Sequence, residues 1–370
     1  MPHMSILPDA DNFKRLVDGS LRGPGPMAVR ALLATLAVPY GLAMAARNAA
    51  YDRGWLASFP APVPVISVGN LTLGGTGKTP LVAWVVRTLL AGGHRPAVVS
   101  RGYGAGPGER SDEAAELAVV LPGIAHVANR DRVAGARAAA AAGADVVVLD
   151  DGFQHRRLRR NIDIVAVDAT DPFGCDRLFP RGLLRESTVG LARAGAVVLT
   201  RATAVDAARR AEIRDALDRA CGGRLPATWM ETEHRPVALR SAAGHTHPPD
   251  FVRGRRVVAF AGIGNPAAFR ATLERMGADV VAFLPFADHH AYGDRDAALL
   301  ADRAVALRAE VVATTLKDLV KLRRERLGDV PLLAVEIALQ ADGGAAELAA
   351  LIGAACGPGA GGSGGAPRAP

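Results

Sequence analysis

"VPVISVGNLTLGGTGKTPLVAWVVRTLLAGG", residues 63–93, joins an apolar, β-branched run to a glycine turn and then to a second apolar stretch with helical spacing. The opening VPVISVG reads as a strand covered on both faces. The closing stretch carries Pro80 in its first turn, where proline is tolerated, and stops at Gly92-Gly93, as a helix does. Between them, the backbone N–H groups of Gly74, Gly75, Thr76 and Gly77 can wrap phosphate oxygens, because glycine permits the dihedrals required. Lys78 then reaches the outer phosphates, and the Thr79 hydroxyl suits a magnesium ion. The strict pattern asks for glycine where Thr72 stands. Strand, GGTGKT and helix in succession still predict a phosphate-binding loop.

Outward from the loop, apolar runs alternate with helical patterns. PAVVS, AHVA, the alanine-rich helix 131–142, ADVVVLDD, IDIVAVDA and AGAVVLT follow in order. Short, nearly continuous β-branched runs separated by helices predict an α/β fold: a doubly wound parallel sheet of P-loop NTPase type. A second series begins near Arg255 with RRVVAFAGIG, a helix from Pro266, DVVAFLPF, a helix after Tyr292, AEVVATT, a helix from Lys317 and PLLAVEI. The stretch between, RPVALRSAAGHTHPPDF, reads as a linker or cross-over. The expected division is therefore an N-terminal segment over 1–55, a P-loop core over 56–235, a smaller C-terminal α/β lobe over 236–355 and a disordered tail over 356–370.

Hydrophobic residues make up 49% of the 370 and charged residues 22%, which excludes a disordered chain. The net charge of +7 favours an anionic partner, although an arginine- and alanine-rich composition also follows from a GC-rich genome. Cys175, Cys221 and Cys356 match no zinc or redox spacing, and a reducing compartment is expected. Residues 1–26 lack the apolar region of a signal peptide. From Ala31 to Ala46 the chain is uncharged between Arg30 and Arg47. That run falls short of the ~20 residues that span a bilayer, and Pro39 interrupts it. A helix lying in the membrane interface is expected, with Arg22, Arg30, Arg47 and Arg53 near lipid phosphates; a buried core helix is the alternative.

DVVVLDDGFQH places Asp150-Asp151 at a strand end. In a P-loop protein an acidic residue there holds magnesium or its water. The guanine-reading N-K-x-D pattern is missing after the later strands, which weighs against a GTPase switch. The blocks VGNLTLGGTGKTP, SRGYG, SDEAAEL, DDGFQHRRLRRNIDIVAVDA, FGCDRLFPRGLLRE, AFAGIGNPAAF and ADHH, in this order, resemble the tetraacyldisaccharide 4′-kinase (lipid A 4′-kinase) family over roughly residues 20 to 350.

The resemblance implies a P-loop domain, a smaller C-terminal lobe and an N-terminal helix meeting the cytoplasmic face of a bacterial inner membrane. It implies ATP and Mg2+, with phosphoryl transfer to the 4′-hydroxyl of a tetraacylated glucosamine disaccharide 1-phosphate. Neither nucleic acid nor an obligate protein partner is expected. Position by position, it implies Lys78 and Thr79 at the phosphates and magnesium, Asp112 as catalytic base, and Glu113 and Asp150 as magnesium ligands. It further implies His289 as partner of the base, and Arg132 and Arg185 beside the lipid substrate. Ser111 and Ala114 stand where the family has glycine and proline around the acidic pair, and Leu316 where it has glutamate.

The chemistry agrees with these roles. A sugar hydroxyl is a poor nucleophile near neutral pH, and a carboxylate that takes its proton helps; positive charge at the phosphates does most of the rest. By themselves, Asp112-Glu113 would read as a helix N-terminus, His289-His290 as surface or capping histidines, and Arg156, Arg157, Arg159 and Arg160 as solvated or near lipid head groups. Two rival readings stay open: a metallochaperone- or switch-type nucleotidase using the DHH histidines as metal ligands, and a non-catalytic membrane-associated nucleotide-binding protein. Transfer of label from γ-labelled ATP, with and without a lipid acceptor, separates the three.

Overall fold

A computed structural model describes residues 10–102, 111–288 and 290–357. The chain runs through α1 (Ala10–Val17), α2 (Pro24–Asp52), β1 (Val65–Asn70), α3 (Lys78–Ala91), β2 (Pro96–Ser100), α4 (Asp112–Val120), β3 (Ala125–Ala128) and α5 (Arg132–Ala141). It continues through β4 (Val146–Asp150), β5 (Ile162–Asp168), β6 (Ala196–Thr200), α6 (Ala207–Ala220), β7 (Thr228–Arg240) and the short β8 (Thr246–His247). The remainder is β9 (Arg256–Ala261), α7 (Pro266–Arg275), β10 (Asp279–Pro285), α8 (Asp294–Ala306), β11 (Val311–Thr315), α9 (Leu316–Leu322), β12 (Arg326–Leu327), β13 (Val330–Gly343) and α10 (Ala345–Cys356). Two compact units result: Met27–His234 with the chain from Leu339 onward, and Arg235–Ala338 with the chain before Met27.

In the first unit the strands lie in the order β3-β2-β4-β1-β5-β6-β7, all parallel. Successive side chains of a strand point to opposite faces, and both faces are covered. Ile66, Val68, Val98, Val146, Val148 and Ile164 pack against Leu81, Val85 and Leu89 of α3 and Leu117 of α4. Val65, Val99, Val147 and Leu149 face Val133, Ala136 and Ala139 of α5. This is why β1, β2 and β4 are buried at every position. The second unit is a parallel β10-β9-β11-β13 sheet whose core includes Val257, Ala259, Leu273, Val311 and Leu333.

Three expectations need correction. Pro39 does not end the apolar helix; α2 runs unbroken for 29 residues, with an 18-residue window of mean hydropathy 1.5, and is long and apolar enough to cross a membrane. The last helix, α10, belongs to the P-loop unit rather than to the C-terminal lobe, because Leu348 and Ile352 complete the α3 side of its core. The basic run after Asp151 is not a solvated face. Arg160 is buried against Asp163 at 2.8 Å, and Arg156 bonds Asp52 at 2.6 Å and the Asn48 carbonyl at 3.0 Å; Arg157 and Arg159 are exposed. The expected tail falls mainly on residues 358–370, outside those described.

Candidate active site

In open α/β sheets, ligands bind beyond the C-terminal ends of the strands. Here β1 ends at Asn70 with Val68 in register with Asp150 of β4, so the glycine loop and the Asp150-Asp151 pair leave the same edge of the sheet. The loop closes on Gly77, which caps α3 in the left-handed region at φ 81°, with Gly74 at φ 103°. Both conformations favour glycine. Asn70 braces the turn from below, its Nδ2 donating to the Thr72 carbonyl at 2.7 Å and to Thr76 Oγ1 at 2.9 Å. Lys78 Nζ donates to Asn70 Oδ1 at 3.3 Å and lies 3.6 Å from Asp151. Burial holds the Lys78 pKa below its usual value, opposed by Asp151.

The two aspartates of the doublet have opposite environments. Asp150 is buried, and its pKa rises to about 6, first through burial and then through the charge of Asp151, with Glu113 adding to the rise. Asp151, at φ 53°, receives both of its short hydrogen bonds from one Arg185 nitrogen at 2.8 Å. Burial would raise the Asp151 pKa too, but Lys78 and Arg185 overcome it and leave the carboxyl more acidic than usual. Arg132 opens α5 behind the cap of Asp131 and is 4% exposed. It bonds the Asn129 carbonyl at 3.1 Å, and its charge acts on Asp151 and Asp150. The Nε atoms of Arg132 and Arg185 are both buried without a hydrogen-bond partner.

Asp112 and Glu113 form the first turn of α4. Ser111 caps that helix through its hydroxyl, which accepts from the Ala114 N–H at 3.3 Å. A capped N-terminus favours carboxylates, so Ser111 in place of glycine leaves the acidic pair at a well-formed helix start. Among the described residues, no three His, Cys, Asp or Glu side chains form a ready-made metal cage. Magnesium binds through one or two carboxylates together with phosphate and water. Thr79, Glu113 and Asp150 offer the hard oxygens it takes, and the raised Asp150 pKa shows a carboxylate that a cation would stabilise. His289 lies outside the described residues. Beside it, Asp288 pairs with Lys317 at 3.1 Å and His290 with Asp296 at 3.1 Å, both within the second unit. Leu316 is buried at the start of α9 behind the Thr315 cap.

Several residues that the sequence left unremarked hold this site together. Gln154 donates to the Asn70 carbonyl at 2.9 Å and to Glu186 at 3.1 Å. Glu186, 1% exposed, also accepts from Arg193 and from Asn48 of α2, each at 2.8 Å. Tyr40 of α2 donates to the Arg185 carbonyl at 2.6 Å, and Arg47 to the Gln154 carbonyl at 2.8 Å. The sequence carried little signal for them: Gln154 and Glu186 are single polar residues within the blocks DDGFQHRRLRRNIDIVAVDA and FGCDRLFPRGLLRE.

The parallel sheet, the glycine loop with its lysine and the acidic strand end define a P-loop nucleotide-binding protein of the α/β class. The chain matches the tetraacyldisaccharide-1-P 4′-kinase family over residues 29–355 and belongs to it. The tetraacyldisaccharide 4′-kinase of Anaeromyxobacter sp. (strain Fw109-5) is 43% identical over 347 residues, covering 88% of this chain and 92% of that protein. That of Geobacter sulfurreducens is 39% identical over 334 residues, covering 84% and 89%. The crystal structure of LpxK from Aquifex aeolicus in complex with ATP superposes with a TM-score of 0.71 at 29% identity, covering 89% of this chain and all of that one.

Proposed function

We propose that this protein transfers the γ-phosphoryl group of ATP to the 4′-hydroxyl of a tetraacylated glucosamine disaccharide 1-phosphate, working at the cytoplasmic face of a bacterial inner membrane. One observation carries the reading. In a chain of this family, a phosphate loop and Lys78 share a sheet edge with a carboxylate doublet and the two arginines coupled to it. Loop amides and Lys78 bind the β- and γ-phosphates, and Lys78 offsets the charge that develops on the transferred group. Thr79, Glu113 and Asp150 would hold magnesium, which would supply further neutralisation of the phosphate oxygens. Asp112 takes the proton of the acceptor hydroxyl. Arg185 and Arg132, whose buried Nε donors are unpartnered, orient the anionic acceptor. Holding Asp151 is how Arg185 is itself held.

The membrane reading rests on how α2 divides. From Tyr40 to Asp52 it is bonded to the P-loop unit through Tyr40, Arg47, Asn48 and Asp52. Ahead of Tyr40, Met27, Leu32, Leu36 and Val38 are exposed. The part of α2 ahead of these bonds, residues 24–39, is shorter than the ~20 residues of a span, which supports peripheral contact rather than crossing. Transfer of label from γ-labelled ATP to the lipid disaccharide in mixed vesicles tests the whole. Release of labelled phosphate alone, unaffected by the acceptor, would refute it.

A further inference from the structure

Three side chains from neighbouring strands stand behind the phosphate loop. Thr200, at the end of β6, donates to the Thr76 carbonyl at 2.9 Å. Arg201, in the left-handed region at φ 53°, donates to the Gly75 carbonyl at 2.8 Å and pairs with Asp168. These two bonds tie down the carbonyls of the two loop residues before Gly77. The residue that ends the loop, Gly77, has no side chain with which to cap α3. Behind it lies His234 of β7: a Cβ built on Gly77 would fall 2.3 Å from His234 Nε2 and 2.4 Å from Cε1. The imidazole edge thus rests directly on the Gly77 α-carbon. Nε2 is buried without a hydrogen-bond partner. Burial first, then the charge of Arg201, pushes the His234 pKa down to about 4, so the ring is neutral at pH 7.

We propose that His234 is a positioning residue for phosphoryl transfer: its imidazole, wedged behind Gly77, holds the end of the phosphate loop in its left-handed conformation and so aims the first amides of α3 at the nucleotide. The proposal rests on the nucleotide-binding reading of the loop. Thr200 and Arg201 fix the two preceding peptides by hydrogen bonds, whereas at Gly77 the ring's bulk takes the place of a bond. Its contact is with the turn, not with the acceptor side of the site. Loss of the ring should therefore weaken the nucleotide and leave the lipid alone.

The test is a double-mutant cycle on the full chain, with KM for ATP, KM for the lipid disaccharide, kcat and Tm measured for each variant. His234→Ala should raise KM for ATP about tenfold, the loss of roughly one well-placed contact, with KM for lipid unchanged. His234→Gln, which keeps most of the bulk, should recover most of that loss. Gly77→Ala drives a methyl into the ring and should impair wild type more than it impairs the His234→Ala background, because the cavity accepts the methyl. Additive effects, or a lowered Tm with KM for ATP unchanged, would overturn the proposal. If His234→Ala does not fold, His234→Thr, which also removes the ring but suits a strand, is cycled against Gly77→Ala and decides by the same criterion. Lys78→Ala is the control for the underlying reading: undiminished turnover there removes the nucleotide site itself, while loss of turnover with an additive cycle removes only the role of His234.

Discussion

Asp150 and Asp151 are identical side chains on adjacent residues, one pushed to a pKa of about 6 and the other held below the usual carboxylate range. The difference is in the balance of charges: Lys78 and Arg185 outweigh burial at Asp151, whereas at Asp150 burial and the charges of Asp151 and Glu113 outweigh Lys78 and Arg132. For Asp150 the folded pKa lies above the unfolded one. Its contribution to stability is therefore complete below about pH 4 and is lost as pH rises toward 6. In protein free of nucleotide and metal, Asp150→Asn should raise stability at pH 8 by about 1–3 kcal/mol, the range set by a two-unit shift. The gain should vanish at pH 4, and thermal unfolding at both pH values checks it. Asp112 stands on different ground, in the first turn of a capped helix. Asp112→Asn keeps the shape and removes the proton acceptor, so kcat should fall by ~10²–10⁴ while KM for ATP changes little. A sharp rise in KM for ATP with kcat preserved would make Asp112 a binding residue. The loop before Lys78 and the strand end at Asp150 were legible as elements because both have fixed spacings. The contacts of Asp151, Gln154, Glu186 and His234 were not, because most of their partners lie 30 or more residues away and only the fold brings them together.

The elements follow the same division between local and distant causes. Strands β1, β2, β4 and β6 were legible because a sheet covered on both faces needs unbroken apolar runs, and those runs are short and bounded. The course of β7 was hidden: Pro236 and a polar alternation made its second half read as linker, yet it runs from Thr228 to Arg240. Helix α2 was misread at Pro39. An interior proline costs about 3 kcal/mol, and packing outweighs that here. The docked half is tied down by four polar side chains, Tyr40 stacks edge-on against Phe179, and Gly41 sits so close to Leu178 that a Cβ would fall 2.8 Å from it. This anchorage makes deletion of the helix an ambiguous experiment, since it would also strip Glu186 and Arg185 of partners. Leu32→Glu with Leu36→Glu is cleaner, for both residues lie ahead of Tyr40 at 59% and 49% exposure. The pair should abolish binding to neutral vesicles and raise KM for the lipid well above its effect on KM for ATP. Stability should change by about 0.5 kcal/mol or less per site, as for surface positions generally. Unchanged vesicle binding would return that half of α2 to a purely structural role.

At the scale of the whole molecule, the question is what a net charge of +7 does at an anionic surface. Much of the arginine is already engaged. Arg156, Arg160, Arg185, Arg193, Arg201 and Arg240 are paired with carboxylates and mostly shielded from solvent. Arg53 stacks on the exposed Trp55, and Arg157 and Arg159 are exposed. Each arginine that does face a lipid phosphate contributes about 1 kcal/mol, and salt screens that contribution. Apolar contact is not screened, and each buried CH₂ contributes about 0.8 kcal/mol. The exposed apolar residues of α2 should therefore carry the part of binding that salt leaves in place. We expect binding of the full chain to vesicles rich in anionic lipid to weaken at high salt without being lost, and neutral vesicles to retain the residual, salt-independent part. In the Leu32→Glu/Leu36→Glu background, the salt-independent part should disappear and any remaining binding should fall to zero at high salt. Flotation of wild type and variant across a salt series on both vesicle types separates the two contributions. Complete release of the wild-type chain by salt alone would assign its membrane contact to arginine and leave the apolar stripe without a lipid role.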